Sequence, residues 1–177
     1  MADSPTNDGS DQPGGPAPTP DADTTPQIGL IAQYIKDLSF ENPNAPQSLQ
    51  ANGAERPQID VTINVNARRV GDEGFEVELK TSITAKQSNK NAFIVELLYA
   101  GLFGVRNMPE ENLEPFLLIE APRLIFPFAR RIIADVTRDG GFPPLMLDPV
   151  DFAYLYQQQR QPGGAQAAGP VEAPKIN

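Results

Sequence analysis

The chain has 177 residues, a length that fits one domain with or without tails. It contains neither cysteine nor histidine, which excludes a disulfide framework, a thiol nucleophile, a zinc finger and a Ser-His-Asp triad. Its 14 basic and 23 acidic residues give a formal net charge of −9. That charge argues against nucleic-acid binding, which needs a basic surface. We therefore expect a binding protein rather than an enzyme, with no metal or other cofactor.

Both ends of the chain have the composition of unstructured tails. Residues 1–27 carry six prolines and five aspartates with no basic or aromatic residue, too little apolar surface to offset the entropy of ordering. Residues 157–177 run from a glutamine triplet into glycine, alanine and proline. Residues 28–156 remain as the single predicted domain. No secretory signal or membrane-spanning stretch is apparent, so we expect a cytoplasmic protein that does not insert into a membrane.

The first half of the core predicts strands. The pattern of residues 28–40 fits a helical stripe as well as a strand, although its isoleucines and aromatic residues favour the strand. Apolar and polar residues then alternate over 59–67 and over 75–84, on either side of a Gly-Asp-Glu-Gly turn. These two runs predict a β-hairpin.

A further run, Ala92 to Phe103, differs because both of its faces are apolar. Only Glu96 interrupts the second face. Such a strand is either covered on both sides or meets a partner on its outer side.

The second half of the core predicts helices. Pro109 and the glutamates that follow it, at 110, 111 and 114, suit the start of a helix, which we favour over an acid–base pair. Prolines at 115, 122 and 127 predict a break or kink, and Gly140-Gly141 predicts the helix end. Asp148-Pro149 predicts the cap and first turn of a last helix. The fold class is therefore α+β, with a four-stranded antiparallel sheet followed by helices packed on one face.

Carboxylates on the strands suggest a docking surface. Asp37 and Glu41 are four residues apart and share a face of a strand. Glu76 and Glu78 share one side of the hairpin, and Glu96 is the lone charge of the third run. If these faces coincide, the sheet presents an acidic surface to a basic partner. The alternative is an ordinary solvated sheet face.

Two blocks of sequence resemble the bacterial export chaperone family SecB. Tyr34 to Pro46 reads YIKDLSFENPNAP, which is similar to the characteristic opening of that family. The second block is Pro122 to Arg130, followed by Gly141 to Leu145 and Pro149 to Phe152, in the order and spacing of the family. The resemblance covers about 28–158 and favours a strand for the first segment.

The resemblance implies a homotetramer, a dimer of dimers, that holds unfolded secretory precursors without nucleotide and passes them to the translocation ATPase SecA. It implies that SecA docks on Asp37, Glu41, Ile94 and Glu96. It also implies that the oligomer is sensitive to substitution at Val95, Leu97 and Tyr99.

Clients are expected to bind in apolar surface grooves. Five apolar residues are candidates for this role, with packing in the core as the alternative: Phe40, Leu102, Phe103, Phe126 and Phe142. Two other functions stay open. One is a relative on the same fold that guards a specific client such as an antitoxin, and the other is an enzyme that uses carboxylates.

Overall fold

The structure, a computed structural model, describes residues 25–50 and 57–160. Its strands are β1 (Gln27–Glu41), β2 (Gln58–Arg69), β3 (Gly74–Gln87) and β4 (Lys90–Arg106). They form one antiparallel sheet in the order β1-β4-β3-β2. The predicted four-stranded antiparallel sheet is thus confirmed, and the ambiguous first segment is a strand. The chain passes from β1 to β2, at the opposite edge, through a segment that contains the short helix α1 (Gln47–Gln50).

The remaining helices follow the sheet in the chain, as predicted. They are α2 (Glu110–Pro115), α3 (Ala121–Asp139) and α4 (Phe152–Arg160), with a π-helical stretch, Phe116–Glu120, between α2 and α3. The predicted break takes the form of this stretch, which begins directly after Pro115, a residue without a backbone N–H to donate. Helix α3 ends just before Gly140-Gly141, and Gly141 has a φ of 89°, a conformation that glycine adopts at low cost.

The start and end of the last helix differ from the prediction. Helix α4 begins at Phe152 rather than near Asp148-Pro149, because Asp151 Oδ1 accepts a hydrogen bond from the Tyr154 N–H at 3.0 Å and caps it. The helix continues to Arg160, so the first four residues assigned to the C-terminal tail are helical. The predicted N-terminal tail is also one residue too long, because Gln27 is the first residue of β1 and pairs with Arg106. Residues 1–24 and 161–177 of the two predicted tails lie outside the described residues.

The core lies between the sheet and helix α3, which packs on β3 and β4. Ile125, Ala129 and Ile133 of α3 are fully buried against the sheet, spaced four residues apart as one face of a helix requires. We call the sheet face under α3 the inner face and the opposite one the outer face. None of the helices in the described ranges combines the length and hydropathy that a bilayer span needs.

Candidate docking face

Strand β4 divides its residues between the two faces as the sequence pattern predicts. Val95, Leu97 and Tyr99 face inward and are 0%, 1% and 5% exposed. Ile94 and Glu96 alternate with them and therefore belong to the outer face. Glu96 is exposed and Ile94 half-buried.

The predicted docking residues meet on this outer face. Glu41 of β1 lies directly opposite Ile94 in the antiparallel register, Ser39 lies opposite Glu96, and Asp37 lies opposite Leu98. Glu96 is therefore diagonal to both Asp37 and Glu41, at roughly 7–8 Å between Cα atoms. We call Asp37, Glu41 and Glu96 the acidic patch.

The three carboxylates of the acidic patch are available to a partner. All three side chains are exposed. Within residues 25–50 and 57–160, none of them forms an ion pair. Three unpaired carboxylates close together make the electrostatic potential at this surface more negative. A negative surface attracts a basic partner and speeds its association.

Two bulges in β1 decide which of its residues belong to the outer face. The register with β4 shifts at Ile31 and again at Lys36, so each of these residues is an extra residue on β1. Tyr34 and Asp37 both lie on the outer face although they are three residues apart, because the bulge at Lys36 reverses the alternation. The sequence pattern predicts one uninterrupted alternation, which is wrong for this strand.

Glu76 and Glu78 form a second charged group on the outer face, which we call the polar clamp together with their partners Tyr34, Lys36 and Arg68. Glu76 accepts hydrogen bonds from the Tyr34 hydroxyl at 2.5 Å, Arg68 Nε at 2.6 Å and Lys36 Nζ at 3.1 Å. Lys36 Nζ also donates to Glu78 at 2.5 Å. The clamp thus joins β1 to β3 and β2 across β4.

The clamp changes the chemistry of Glu76 and Glu78. Glu76 is only 3% exposed. The hydrogen bond from Tyr34, with those from Arg68 and Lys36, lowers the pKa of Glu76 to about 2 in spite of its burial. The hydrogen bond from Lys36 likewise lowers the pKa of Glu78. Both carboxylates are charged but paired, so the expectation that they add open negative surface to the acidic patch is not met.

Sequence reasoning identified Glu76 and Glu78 as outer-face residues but missed the clamp. Part of the signal is in the sequence, because both basic residues lie on strands of the same sheet as the two glutamates. Arg68 lies on β2, next to β3, and Lys36 lies on β1, with β4 between it and β3. Their meeting depends on the strand order and on the bulge, which the sequence pattern does not reveal.

The residues expected to be oligomer-sensitive lie in the core. Val95, Leu97 and Tyr99 are buried beneath the helical layer, so a substitution there would displace α3. Helix α3 carries Leu124 and Phe128 exposed on its other side, at 52% and 42%.

The five candidate client-binding residues do not form one groove. Phe103 and Phe126 are core residues of this chain, packed edge-on against Phe116 and Phe152 respectively. Leu102 lies on the outer face, opposite Glu76 in the register. In this conformation Phe103 and Phe126 are therefore not accessible to a client.

Phe40 and Phe142 do come together. With Phe93 they form an aromatic cluster whose ring centroids are 4.8–6.4 Å apart. Both are partly exposed, beside the segment that carries α1. Phe40 and Phe142 therefore pack in the core and still leave part of each ring on the surface, where a client can reach it.

Comparison with known proteins adds to this geometry. Residues 21–162 match the family described as preprotein translocase subunit SecB. The chain belongs to the SecB family. A protein-export protein SecB of Parvibaculum lavamentivorans is 54% identical over 172 residues, which cover 96% of this chain and 99% of the relative. One from Sphingopyxis alaskensis is 56% identical over 147 residues, 83% of this chain and 84% of the relative. The prediction of a SecB-family export chaperone is confirmed.

A solved structure supports the SecB-like fold. The SecB-like chaperone of Mycobacterium tuberculosis, in complex with a peptide from the HigA1 antitoxin, superposes with a TM-score of 0.58. It covers 70% of this chain and 90% of its own, at 16% sequence identity. At that identity the likeness concerns the fold.

Proposed function

We propose that this chain is an ATP-independent holdase of the cytoplasm. It binds unfolded secretory precursors, keeps them competent for translocation and delivers them to SecA, without catalysing a reaction. Membership of the SecB family supports this role. So do relatives that share 54–58% of the residues and carry the protein-export name.

The observation that carries the proposal is the amount of large apolar side chain that remains exposed. Soluble monomers rarely expose extended apolar patches, and such patches serve as interaction sites. Those on β1 and the helical layer are Ile28, Leu30, Ile31, Tyr34, Ile35, Leu38, Leu124, Phe128 and Tyr154. An unfolded client exposes apolar side chains of the same kind. Burial of each one contributes about 1–3 kcal/mol to the free energy of binding. Several weak contacts along one chain give tight but unspecific holding.

Part of this apolar surface also suits self-assembly into a dimer of dimers. Strand β1 is an edge strand whose residues are all exposed or half-buried, and an unpaired edge is a template for pairing with another chain. Leu124 and Phe128 extend the apolar surface onto α3. A tetramer would repeat the client-binding surface four times, which multiplies weak contacts.

The holdase role is tested by refolding a denatured, slow-folding precursor in the presence of the purified protein and no nucleotide. We expect refolding to stop at about one tetramer per client, because binding to the unfolded state withdraws it from folding. A folded, assembled protein that leaves refolding at its unassisted rate would refute the general holdase role. The alternative function, a chaperone of one specific client, would then be favoured.

The acidic patch is the proposed docking site for SecA, with Ile94 as its apolar contact. Its carboxylates are exposed and unpaired among the described residues. On the β1–β4 strand pair, Asp37 and Glu41 each lie two residue pairs from Glu96. A basic partner segment fits this potential, and the half-buried Ile94 supplies an apolar contact next to Glu41.

Charge reversal tests the docking site. Asp37→Lys combined with Glu96→Lys is expected to weaken SecA binding at least tenfold while the oligomer stays intact, because both side chains are exposed. The measurement is SecA affinity by calorimetry, with sedimentation to check assembly. Asp72→Lys with Asp148→Lys is the control, since it makes the same charge change at exposed sites in the β2–β3 turn and the loop before α4. Equal affinity of the two double variants would remove the docking assignment.

A further inference from the structure

We propose that Glu76 and Glu78 are positioning residues of the docking face: they hold the ammonium group of Lys36 away from Asp37, so that the acidic patch stays unpaired. This inference rests on the proposed docking function and names two residues outside the acidic patch on which that function depends. They act through Lys36 and touch no docking partner themselves.

The bulge in β1 creates the need for such a device. In a regular strand, Lys36 and Asp37 would point to opposite faces. The register shift between Ile35 and Asp37 instead places both on the outer face, and the contacts of Lys36 with Glu76 and Glu78 confirm where its side chain lies. A flexible lysine therefore stands directly beside an unpaired carboxylate.

The ion pairs of Lys36 with Glu76 and Glu78 are stronger than a pair with Asp37 would be. Its ammonium lies 2.5 Å from Glu78 Oε1 and 3.1 Å from Glu76 Oε2. The side chain of Glu76 is 4% exposed and that of Glu78 is 17% exposed, so water screens these ion pairs less than it would screen a pair with the exposed Asp37. Two charge-assisted hydrogen bonds hold the ammonium over β3.

A small residue on β4 makes this reach possible. Ala100 lies between Tyr34 and Glu78 in the register and is fully buried. A methyl group at this position leaves room for the side chains of β1 and β3 to meet above it. Arg68 closes the clamp from β2, at 2.6 Å from Glu76, so both cations of the clamp are paired with its glutamates and not with the acidic patch.

The proposal predicts a specific coupling between sites. In Glu76→Gln/Glu78→Gln, the freed Lys36 pairs with Asp37, and SecA affinity falls by about threefold or more. When Lys36→Gln is added, the cation next to Asp37 on β1 is gone, and the same two substitutions change affinity by less than about twofold. Asp37→Asn, by contrast, weakens SecA binding whether or not Lys36→Gln is present. A simple contribution of the Glu76 and Glu78 charges to docking would give an equal loss with and without Lys36, and that result would overturn the proposal.

A matched control removes two other paired carboxylates, one on β2 and one in the β2–β3 turn. Asp60→Asn with Glu73→Gln also deletes two charges, each paired with its own cation, Lys86 or Arg106. We expect less than about a twofold change in SecA affinity. Since Glu76 is buried, the double variant could fold poorly, so Glu78→Gln alone is measured in parallel and is expected to show the same dependence on Lys36 in reduced size.

A second readout does not involve SecA. The rate at which an amine-reactive acetylating reagent modifies Lys36, followed by mass spectrometry and compared with Lys80, is expected to rise in Glu76→Gln/Glu78→Gln. An unchanged rate at Lys36 would overturn the sequestration itself. If Asp37→Asn and the charge-reversal variant leave SecA binding intact, the docking function fails, and the acetylation rate still decides whether the clamp holds Lys36.

Discussion

At the scale of single residues, the outer face holds two kinds of carboxylate. Asp37 is exposed and makes no ion pair with any other described residue, whereas Glu76 is 3% exposed and has three donors around it. A buried carboxylate is stable only when it is fully hydrogen-bonded. Glu76 meets that condition, so its charge contributes to the stability of the fold, while the charge of Asp37 remains available for binding.

The stability contribution of Glu76 depends on pH. Its pKa is lowered from 4.5 to about 2, so the charged form stabilises the folded protein above pH 4.5, and this contribution is lost as the pH falls from 4.5 toward 2. We expect Glu76→Gln to lower the free energy of unfolding by about 2 kcal/mol at pH 7. The difference from the wild type should narrow below pH 4.5. Urea unfolding at fixed protein concentration measures both.

Asp60→Asn is the matched control for this substitution. Asp60 pairs with Lys86 at 3.5 Å, with both side chains at least a third exposed, and such pairs contribute about 0.5 kcal/mol. A loss of stability in Glu76→Gln that is no larger than in this control would show that the clamp does not stabilise the fold.

At the scale of elements, Phe40 connects the end of β1 to the end of α3. A Cβ added at Gly140 would lie 2.1 Å from Cζ of Phe40, so the ring occupies the space above the glycine. The φ of Gly140 is −72°, which any residue adopts, and the requirement for glycine is therefore steric. The side chain of Phe40 packs on the inner face near the end of β1, whereas the clamp binds Tyr34 and Lys36 on the outer face. The bulge at Lys36 lies between Tyr34 and Phe40.

Gly140→Ala tests this contact. We expect it to lower the free energy of unfolding by about 2 kcal/mol, because the ring of Phe40 must leave its position against Phe93 and Phe142. In the background Phe40→Leu the same substitution should cost at least about 1 kcal/mol less. Urea denaturation of the four proteins gives the coupling energy.

Gly29→Ala is the control, since no atom lies within 4 Å of a Cβ added there. Its unfolding free energy should stay within about 0.5 kcal/mol of the wild type. Additive effects of Gly140→Ala and Phe40→Leu would contradict the proposed contact.

At the scale of the whole molecule, one chain leaves its apolar surface incompletely covered. Leu124 and Phe128 of α3 and the inward residues Ile35 and Leu38 of β1 are 37–52% exposed. Burial in an assembly removes such surface from water and stabilises it. This is the physical basis for the proposed dimer of dimers.

Substitution on α3 tests the assembly. We expect Leu124→Asp/Phe128→Asp to shift the protein to smaller species at equal concentration, because charges at a buried interface are costly. Far-UV circular dichroism should stay unchanged, since neither side chain belongs to the core. Sedimentation velocity measures the mass. Tyr154→Asp, at another exposed apolar residue, is expected to keep the wild-type mass, and an unchanged mass of the α3 variant would place the interface elsewhere.

Most of the secondary structure follows from the pattern of residues alone, and so does the face of β4 that carries Glu96. The alternation over 59–67 and 75–84 specifies two half-buried strands, because side chains in a strand alternate between faces with a period of two. The same rule placed Glu96 opposite to Val95, Leu97 and Tyr99. Family motifs from Tyr34 to Pro46 and from Pro122 to Phe152 indicated the chaperone role.

Which charges are free depends on the packing of segments that are distant in the chain. The bulge at Lys36, the closeness of Phe40 to Gly140 and the burial of Phe103 and Phe126 depend on how distant segments pack. Local periodicity carries no information on such contacts, because a one-residue shift in register moves every following side chain to the other face. For this reason Glu76 and Glu78 were predicted as open acidic surface, whereas the fold pairs them with Lys36 and Arg68 and leaves Asp37, Glu41 and Glu96 unpaired among the residues that the structure describes.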